Sequence, residues 1–163
     1  MIQIRDSKLL DLLIIGLELP QEEKDQITAF GGDPNFDHQA VAARCWQLPG
    51  PKWSFVNSSN VPVVTGGLTR MHKGVYRSWF MAGAEAWSGD NVGGVTRCTI
   101  EVIQGMLKAE HVHRIETLVL ASREKARAWY NTVGLEYEST LRNFGVNGED
   151  AALYVAFKPR RVN

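Results

Sequence analysis

The sequence predicts a single α/β domain, a mixed sheet of six to seven strands flanked by about four helices. Three observations carry this. The chain has 163 residues, within the size at which one hydrophobic core still serves the whole molecule. Stretches that alternate apolar and polar are interleaved with stretches of helical period. Two strand-to-helix steps follow one another in the second half, the first through a glycine-rich loop. The 44% hydrophobic and 22% charged content supplies apolar material for one core and argues against disorder.

Met1 to Arg5 alternates like a short strand, and Asp6 or Ser7 is placed to cap the helix whose face is Leu9, Leu10, Leu12 and Leu13. Pro20 ends that helix. Gln21-Glu22-Glu23 opens a second, charged one that stops at Gly31-Gly32-Asp33-Pro34, and both read as amphipathic covers. Phe36 to Leu48 has helical spacing at Ala40, Val41, Ala43 and Cys45 before Pro49-Gly50-Pro51.

From Trp53 the character changes. Trp53 to Val56, the polar turn Asn57 to Asn60, and Val61 to Leu68 read as a hairpin, with Gly66-Gly67 marking a bulge or a thin strand interior. After a turn at Lys73-Gly74, Val75 to Ala82 has the aromatic and β-branched character of a central strand. Ser88 to Gly94 is the glycine-rich loop, and Val95 to Glu110 repeats apolar residues at Ile100, Ile103, Met106 and Leu107 with a helical period. Arg114 to Leu120 is a buried strand, and Ser122 is expected to cap a helix ending at Gly134. Leu135 to Phe144 and Ala151 to Phe157 alternate again, with Asn147-Gly148 as the expected two-residue hairpin turn.

Charge and cysteine usage exclude several functions. Eighteen basic and eighteen acidic side chains cancel, which removes the electrostatic footprint of a nucleic-acid or anionic-membrane binder. Cys45 and Cys98 lack metal or redox spacing and read as small buried hydrophobes. The four histidines, His38, His72, His111 and His113, show no ligand spacing, so no metal is expected. The apolar run Leu9 to Leu19 is broken by Asp11, Gly16 and Glu18 and is too short to span a bilayer, and no cleavable leader precedes it. The expected location is cytoplasmic.

The element order is similar to that of the GNAT acetyltransferase superfamily. Leu118 to Leu135 resembles that group's strand and following helix with a Tyr-x-x-x-Gly-Phe-type ending, with Ala126, Tyr130, Gly134 and Leu135 in register. Glu138 to Asp150 resembles its closing hairpin. A narrower resemblance, carried by Trp79-Phe80 and Trp87, is to small phage-encoded GNAT-like proteins, including an internal virion protein of short-tailed phages. The phosphate loop of the superfamily, Gln/Arg-x-x-Gly-x-Gly/Ala, registers on Asn91, Gly94 and Thr96 and matches only the central glycine.

The resemblance implies an acyl-CoA, acetyl-CoA above all, held where the central strands part. Met81, Ala82 and Gly83 are then expected to offer peptide groups to the pantetheine. Val92, Gly93, Gly94, Val95, Thr96 and Arg97 are expected around the pyrophosphate, because a helix N-terminus presents unpaired donors to an anion. Ser122 and Arg127 complete the expected cofactor contacts. Tyr130 is the candidate acid for the departing thiolate, and Glu85, just past the central strand, the candidate base. Read without the resemblance, Tyr130 is as well explained by a ring in the core, and Glu85 by a solvated loop carboxylate.

Two functions follow. One is direct acyl transfer to the amine of a small molecule or protein, since no cysteine or serine has the neighbours of a nucleophile. The other is a catalytically reduced protein of phage type, partnering a virion protein or a host enzyme.

Overall fold

The computed structural model describes residues 1–158, and in it the alternating segments form one seven-stranded sheet. The strands are β1 (Gln3–Asp6), β2 (Lys52–Val56), β3 (Pro62–His72), β4 (Val75–Ala82), β5 (Arg114–Leu120), β6 (Glu136–Leu141) and β7 (Ala151–Phe157). Their order across the sheet is β1-β2-β3-β4-β5-β7-β6. Among the described residues, only β4 and β5 pair in parallel. A parallel step needs a crossover, which helix α4 (Val92–Lys108) supplies.

Where about four helices were expected, five α-helices are present among the described residues. They are α1 (Leu9–Glu18), α2 (Gln21–Gly31), α3 (His38–Gln47), α4 and α5 (Glu124–Thr132). α1 and α3 cover one face of the sheet through Leu12, Ile15, Leu19, Val41, Ala42 and Met81. The three- and four-residue spacing in α1 sets its apolar residues on one stripe. Leu12 and Ile15 keep no exposed surface, each burial being worth about 1.5–3 kcal/mol. α4 and α5 cover the opposite face, where Ile103, Tyr130, Val133 and Tyr154 form one cluster and Ile2, Phe55, Val95 and Cys98 another.

Several local expectations are corrected. The cap expected from Asp6 or Ser7 comes from Asp11, whose carboxylate accepts from the Lys8 N–H at 2.9 Å while Ser7 turns to Ser54 and Thr65. Asp11 also takes Arg5 at 2.6 and 2.9 Å and Ser54 at 2.8 Å, so one buried carboxylate ties α1 to β1 and β2. Ser122 does not cap α5. It is exposed, Arg123 holds the cap position, and Ser122 offers the Glu124 N–H only its C=O.

Gly66-Gly67 is not a bulge, because the β3–β4 register runs unbroken from Val64 to Arg70. Gly67 instead makes room for the Trp79 indole, which a Cβ there would meet at 2.7 Å. Asn147-Gly148 is not a two-residue hairpin turn either. It lies inside the longer loop 142–150, where the Glu149 and Asp150 carboxylates accept from the Asn147 and Asn143 N–H groups. The Val146 N–H meets the C=O of Ala29 at 3.0 Å and docks that loop on α2.

Candidate functional site

β4 and β5 pair only at their first residues, Val75 with Arg114, Tyr76 with Ile115 and Arg77 with Glu116. β3 holds β4 as far as Ala82, and β7 holds β5 as far as Leu120, so each strand follows its own outer neighbour and the two part. A row of ion pairs closes the narrow end. Arg77 reaches Glu116 at 2.6 Å, Glu116 reaches Arg114 at 3.1 Å, and Arg114 reaches Glu138 at 2.6 Å.

The hydrogen bonds at the ends of the two strands fix which peptide groups line the opening. Gly83 donates its N–H to Val63 C=O at 3.0 Å, so Gly83 and, two residues back, Met81 face β3. Phe80 and Ala82 therefore face β5. On the other side, the N–H groups of Arg114 and Leu120 are bonded at the β4-facing edge, to Gly74 C=O and Gln26 Oε1, which sets Leu118 toward the same edge. Past the paired end, Phe80, Ala82 and Leu118 offer N–H and C=O groups that no neighbouring strand takes. Of Met81, Ala82 and Gly83, only Ala82 turns its peptide into the wedge.

The start of α4 differs from the expected loop. Ala84–Trp87 forms a turn of 3-10 helix, and α4 already begins at Val92, so Gly93 and Gly94 lie in its first turn. Gly94 is a packing glycine, since a Cβ there would meet Ile2 at 2.7 and 2.8 Å. Gly93 faces open space, and neither its N–H nor that of Gly94 has a partner among the described residues. Thr96 is committed: its hydroxyl donates to Val92 C=O at 2.8 Å and accepts from the Trp129 indole at 3.0 Å. Arg97 bonds Ile2 C=O and Glu101, both at 2.7 Å. Val95 is buried against Ile2 and Phe55. The anion-binding capacity at this end reduces to backbone donors and the helix dipole.

Tyr130 stands at the wedge, buried in α5 four residues before Gly134, whose positive φ of 87° ends the helical path. Its ring packs 5.5 Å from Tyr154 and 5.7 Å from Trp129. Burial, and then the charge of Glu23, push the phenol up to about 12, against the opposing influence of Thr117 and Arg123. The phenol therefore stays protonated at neutral pH. Glu23 is itself buried, 2.5 Å from Arg123, and desolvation holds its carboxyl above the usual range. Gln26 accepts from Arg123 at 2.9 Å and from the Leu120 N–H at 3.1 Å, so α2 clamps the wide end of β5.

Two recesses meet at the wedge and share Ser78, Trp79, Phe80, Thr117 and Tyr130. The one on the α4 and α5 side is an apolar cavity of about 60 Å³, walled by Trp53, Val102, Ile103 and Trp129. Beside it Trp129 packs on Phe80 at 5.4 Å and on Trp87 at 5.1 Å. The one toward α2 and α3 is a cleft of about 410 Å³, with Phe30, Arg44, Cys45 and Phe144 at its sides. Burial pushes the Cys45 thiol up to about 11, so it stays protonated and is no nucleophile.

The remaining sequence-predicted residues fall outside these recesses. Glu85 is exposed on the 3-10 turn and lines neither. Ser122 borders a separate shallow cleft at the start of α5. Arg127 turns to Ala121 C=O, Tyr154 and the Tyr137 ring. Glu23, Gln26 and Arg44 were not anticipated. The available signal was periodicity: Glu23 lies four and seven residues before Ile27 and Phe30, on the stripe that a covering helix buries. No group of three or more metal-ligating side chains gathers among the described residues, and no helix there is long and apolar enough to cross a membrane.

No family model and no curated protein matches this sequence. Solved structures do match in fold. A GNAT-family acetyltransferase from Bacillus anthracis is 11% identical, with a TM-score of 0.73 over 96% of this chain and 95% of that one. A spermidine N-acetyltransferase variant from Vibrio cholerae is 14% identical, with a TM-score of 0.72 over 96% and 95%. The ribosomal-protein-S5-alanine acetyltransferase from Vibrio fischeri is 17% identical, with a TM-score of 0.67 over 99% and 96%. The chain therefore has a GNAT-like fold. The narrower likeness to phage virion proteins gains no support from these neighbours; of the three rings that suggested it, Phe80 and Trp87 pack together 6.4 Å apart, while Trp79 packs with α1 and α3.

Proposed function

We propose that this protein is an acyl-CoA-dependent N-acyltransferase working by direct attack of an amine on the thioester. The observation that carries the reading is the wedge itself. Peptide groups of Phe80, Ala82 and Leu118 stand free between two strands, and a buried, protonated phenol stands at the opening. Unpaired backbone groups in a protein interior call for a partner, and an extended chain carrying amides, such as pantetheine, supplies one.

When bound, an acyl-CoA supplies an activated acyl carbon and a thiol leaving group. The protein's own part is positioning and proton delivery. Phe80 and Ala82 orient the thioester arm from β4, and Leu118 does so from β5. The N–H groups of Gly93 and Gly94 and the dipole of α4 receive the pyrophosphate. Thr96 and Arg97 are engaged elsewhere, so phosphate recognition here rests on backbone alone. As the C–S bond breaks, Tyr130 would supply a proton to the sulfur, and the amine nitrogen would release one to solvent, which restores the phenol. The protonated Cys45 agrees with the absence of a covalent acyl-enzyme.

Thermal unfolding with and without acetyl-CoA tests the proposal. A ligand at a hundred times its dissociation constant stabilises by about 2.7 kcal/mol, which for a chain of this size raises the midpoint by roughly 5–10 °C. No shift at millimolar acetyl-CoA overturns the transferase and leaves a binding protein of the same fold.

A further inference from the structure

We infer that the acceptor is the α-amino group of a polypeptide N-terminus bearing an acidic residue close behind it, and that polyamines and lysine side chains are poor acceptors. This rests on the acyl-transfer reading and deepens it.

The first ground is charge. The cleft toward α2 and α3 has two ionic side chains on its walls, Arg44 and Arg77, and no carboxylate among its described lining residues. Arg77 is taken by Glu116, at 2.6 and 3.0 Å. Arg44 is exposed and has no acidic partner among the described residues, its one hydrogen bond going to Gly31 C=O at 3.3 Å. A cleft wall without a carboxylate gives a polycation nothing to pair with. A guanidinium without a counter-ion is suited to a carboxylate, which it grips with two parallel N–H donors.

The second ground is the missing base. An amine must be neutral to attack, and no group in the cleft is placed to strip a proton from it. Glu23 is tied to Arg123 and Glu116 to two arginines, while Glu85 lines neither recess. Glu18 stands near Gly83, past the end of β4, and is absent from the cleft wall. At pH 7.5 an α-amino group, with a pKa near 7.8, is neutral roughly a third of the time, against about 0.1% for a lysine-type amine. The chemistry this cleft can serve without a base is that of the less basic amine. Phe30, Trp79 and Phe144 give the first residue apolar walls.

The test uses acetyl-CoA and four acceptors at pH 7.5: a short peptide beginning Ala-Glu, the same peptide beginning Ala-Lys, an Nα-blocked lysine peptide, and spermidine. Mass spectrometry locates the acetyl group. The Ala-Glu peptide is expected to be modified at its α-amine at least about a hundredfold faster in kcat/KM than the blocked lysine peptide or spermidine. It should also exceed the Ala-Lys peptide by about tenfold. Arg44→Gln should erase the preference between the first two peptides and leave acetyl-CoA affinity unchanged.

Preferred acetylation of spermidine or of lysine overturns the inference, as does a peptide preference indifferent to Arg44→Gln. A second readout needs no turnover. Calorimetric titration of the Ala-Glu peptide should give a dissociation constant about tenfold tighter for wild type than for the variant, and equal constants refute the Arg44 contact. Absence of the acetyl-CoA thermal shift marks failure of the transferase reading, whereas a shift with the wrong acceptor order marks failure of this inference alone.

Discussion

Replacing Gly94 with alanine separates two roles that one glycine at a helix start can have. If it serves phosphate binding, the substitution weakens cofactor affinity and leaves the fold intact. The structure assigns the missing side chain to packing, whatever its N–H binds: a Cβ at Gly94 stands 2.7 Å from Ile2 Cγ1 and 2.8 Å from Ile2 Cβ, and Ile2, just before β1, is itself buried. Those separations are well inside van der Waals contact, so α4 must move off β1 or Ile2 must leave its place. Overpacking of this kind costs about 1–3 kcal/mol, and the gain from alanine over glycine in a helix returns up to about 1 kcal/mol. Gly94→Ala is therefore expected to destabilise by up to about 3 kcal/mol, lowering the midpoint by up to roughly 12 °C. The neighbouring Gly93→Ala is the control, because nothing lies within 4 Å of its Cβ. It should stabilise by about 0.4–1 kcal/mol through the unfolded chain. Urea unfolding of the two variants measures both. Equal stability for Gly94→Ala and wild type, with a loss confined to acetyl-CoA affinity, refutes the packing role.

Other consequences are as direct. Tyr130→Phe should lower kcat tenfold or more while leaving acetyl-CoA affinity within about twofold, as for a group that acts in the transition state; unchanged turnover removes Tyr130 from the reaction. The same residue predicts a pH effect: its phenol sits above the ordinary value of 10, at about 12, so the unfolded chain loses that proton first. Stability from this source is complete below pH 10 and is lost as pH rises through about 12, and the wild-type minus Tyr130→Phe difference in urea midpoint should show that slope. Asp11→Ala should cost about 3 kcal/mol by leaving Arg5 and Ser54 without their buried partner; a loss below 1 kcal/mol in urea unfolding contradicts that reading. Burial pushes the Asp11 carboxyl up, but the bonds from Arg5, the Lys8 N–H and Ser54 together outweigh it and hold the carboxyl below the usual range, so this stability is present above about pH 4 and fades as pH falls through the lowered value.

Much of the fold was legible because each strand and helix announces itself over a few residues. The aromatic and β-branched run Val75 to Ala82, the helical period from Val95 onward and the glycine ending α5 are local signals, and the elements form there, with α4 starting three residues earlier than its period implied, at Val92. The wedge has no local signal. It follows from where pairing stops, at Arg77 and Glu116, and only the resemblance to known acyltransferases announced it. The turn at Asn147-Gly148 was misjudged because a favoured dipeptide was outweighed by the Glu149 and Asp150 carboxylates and by docking on Ala29. At the site, Tyr130 was visible through its spacing from Gly134. Glu23, Gln26 and Arg44 were not, because a helix read as a cover gives no sign that its buried face meets the end of β5.

The measurement that reaches the centre of this account is a crystal structure of the acetyl-CoA complex. An extended arm is expected between β4 and β5, its amides bonded to the peptide groups of Phe80, Ala82 and Leu118, with the pyrophosphate over Gly93. Acetyl-CoA seated elsewhere, or β4 and β5 joined side by side past Arg77 in its presence, contradicts it.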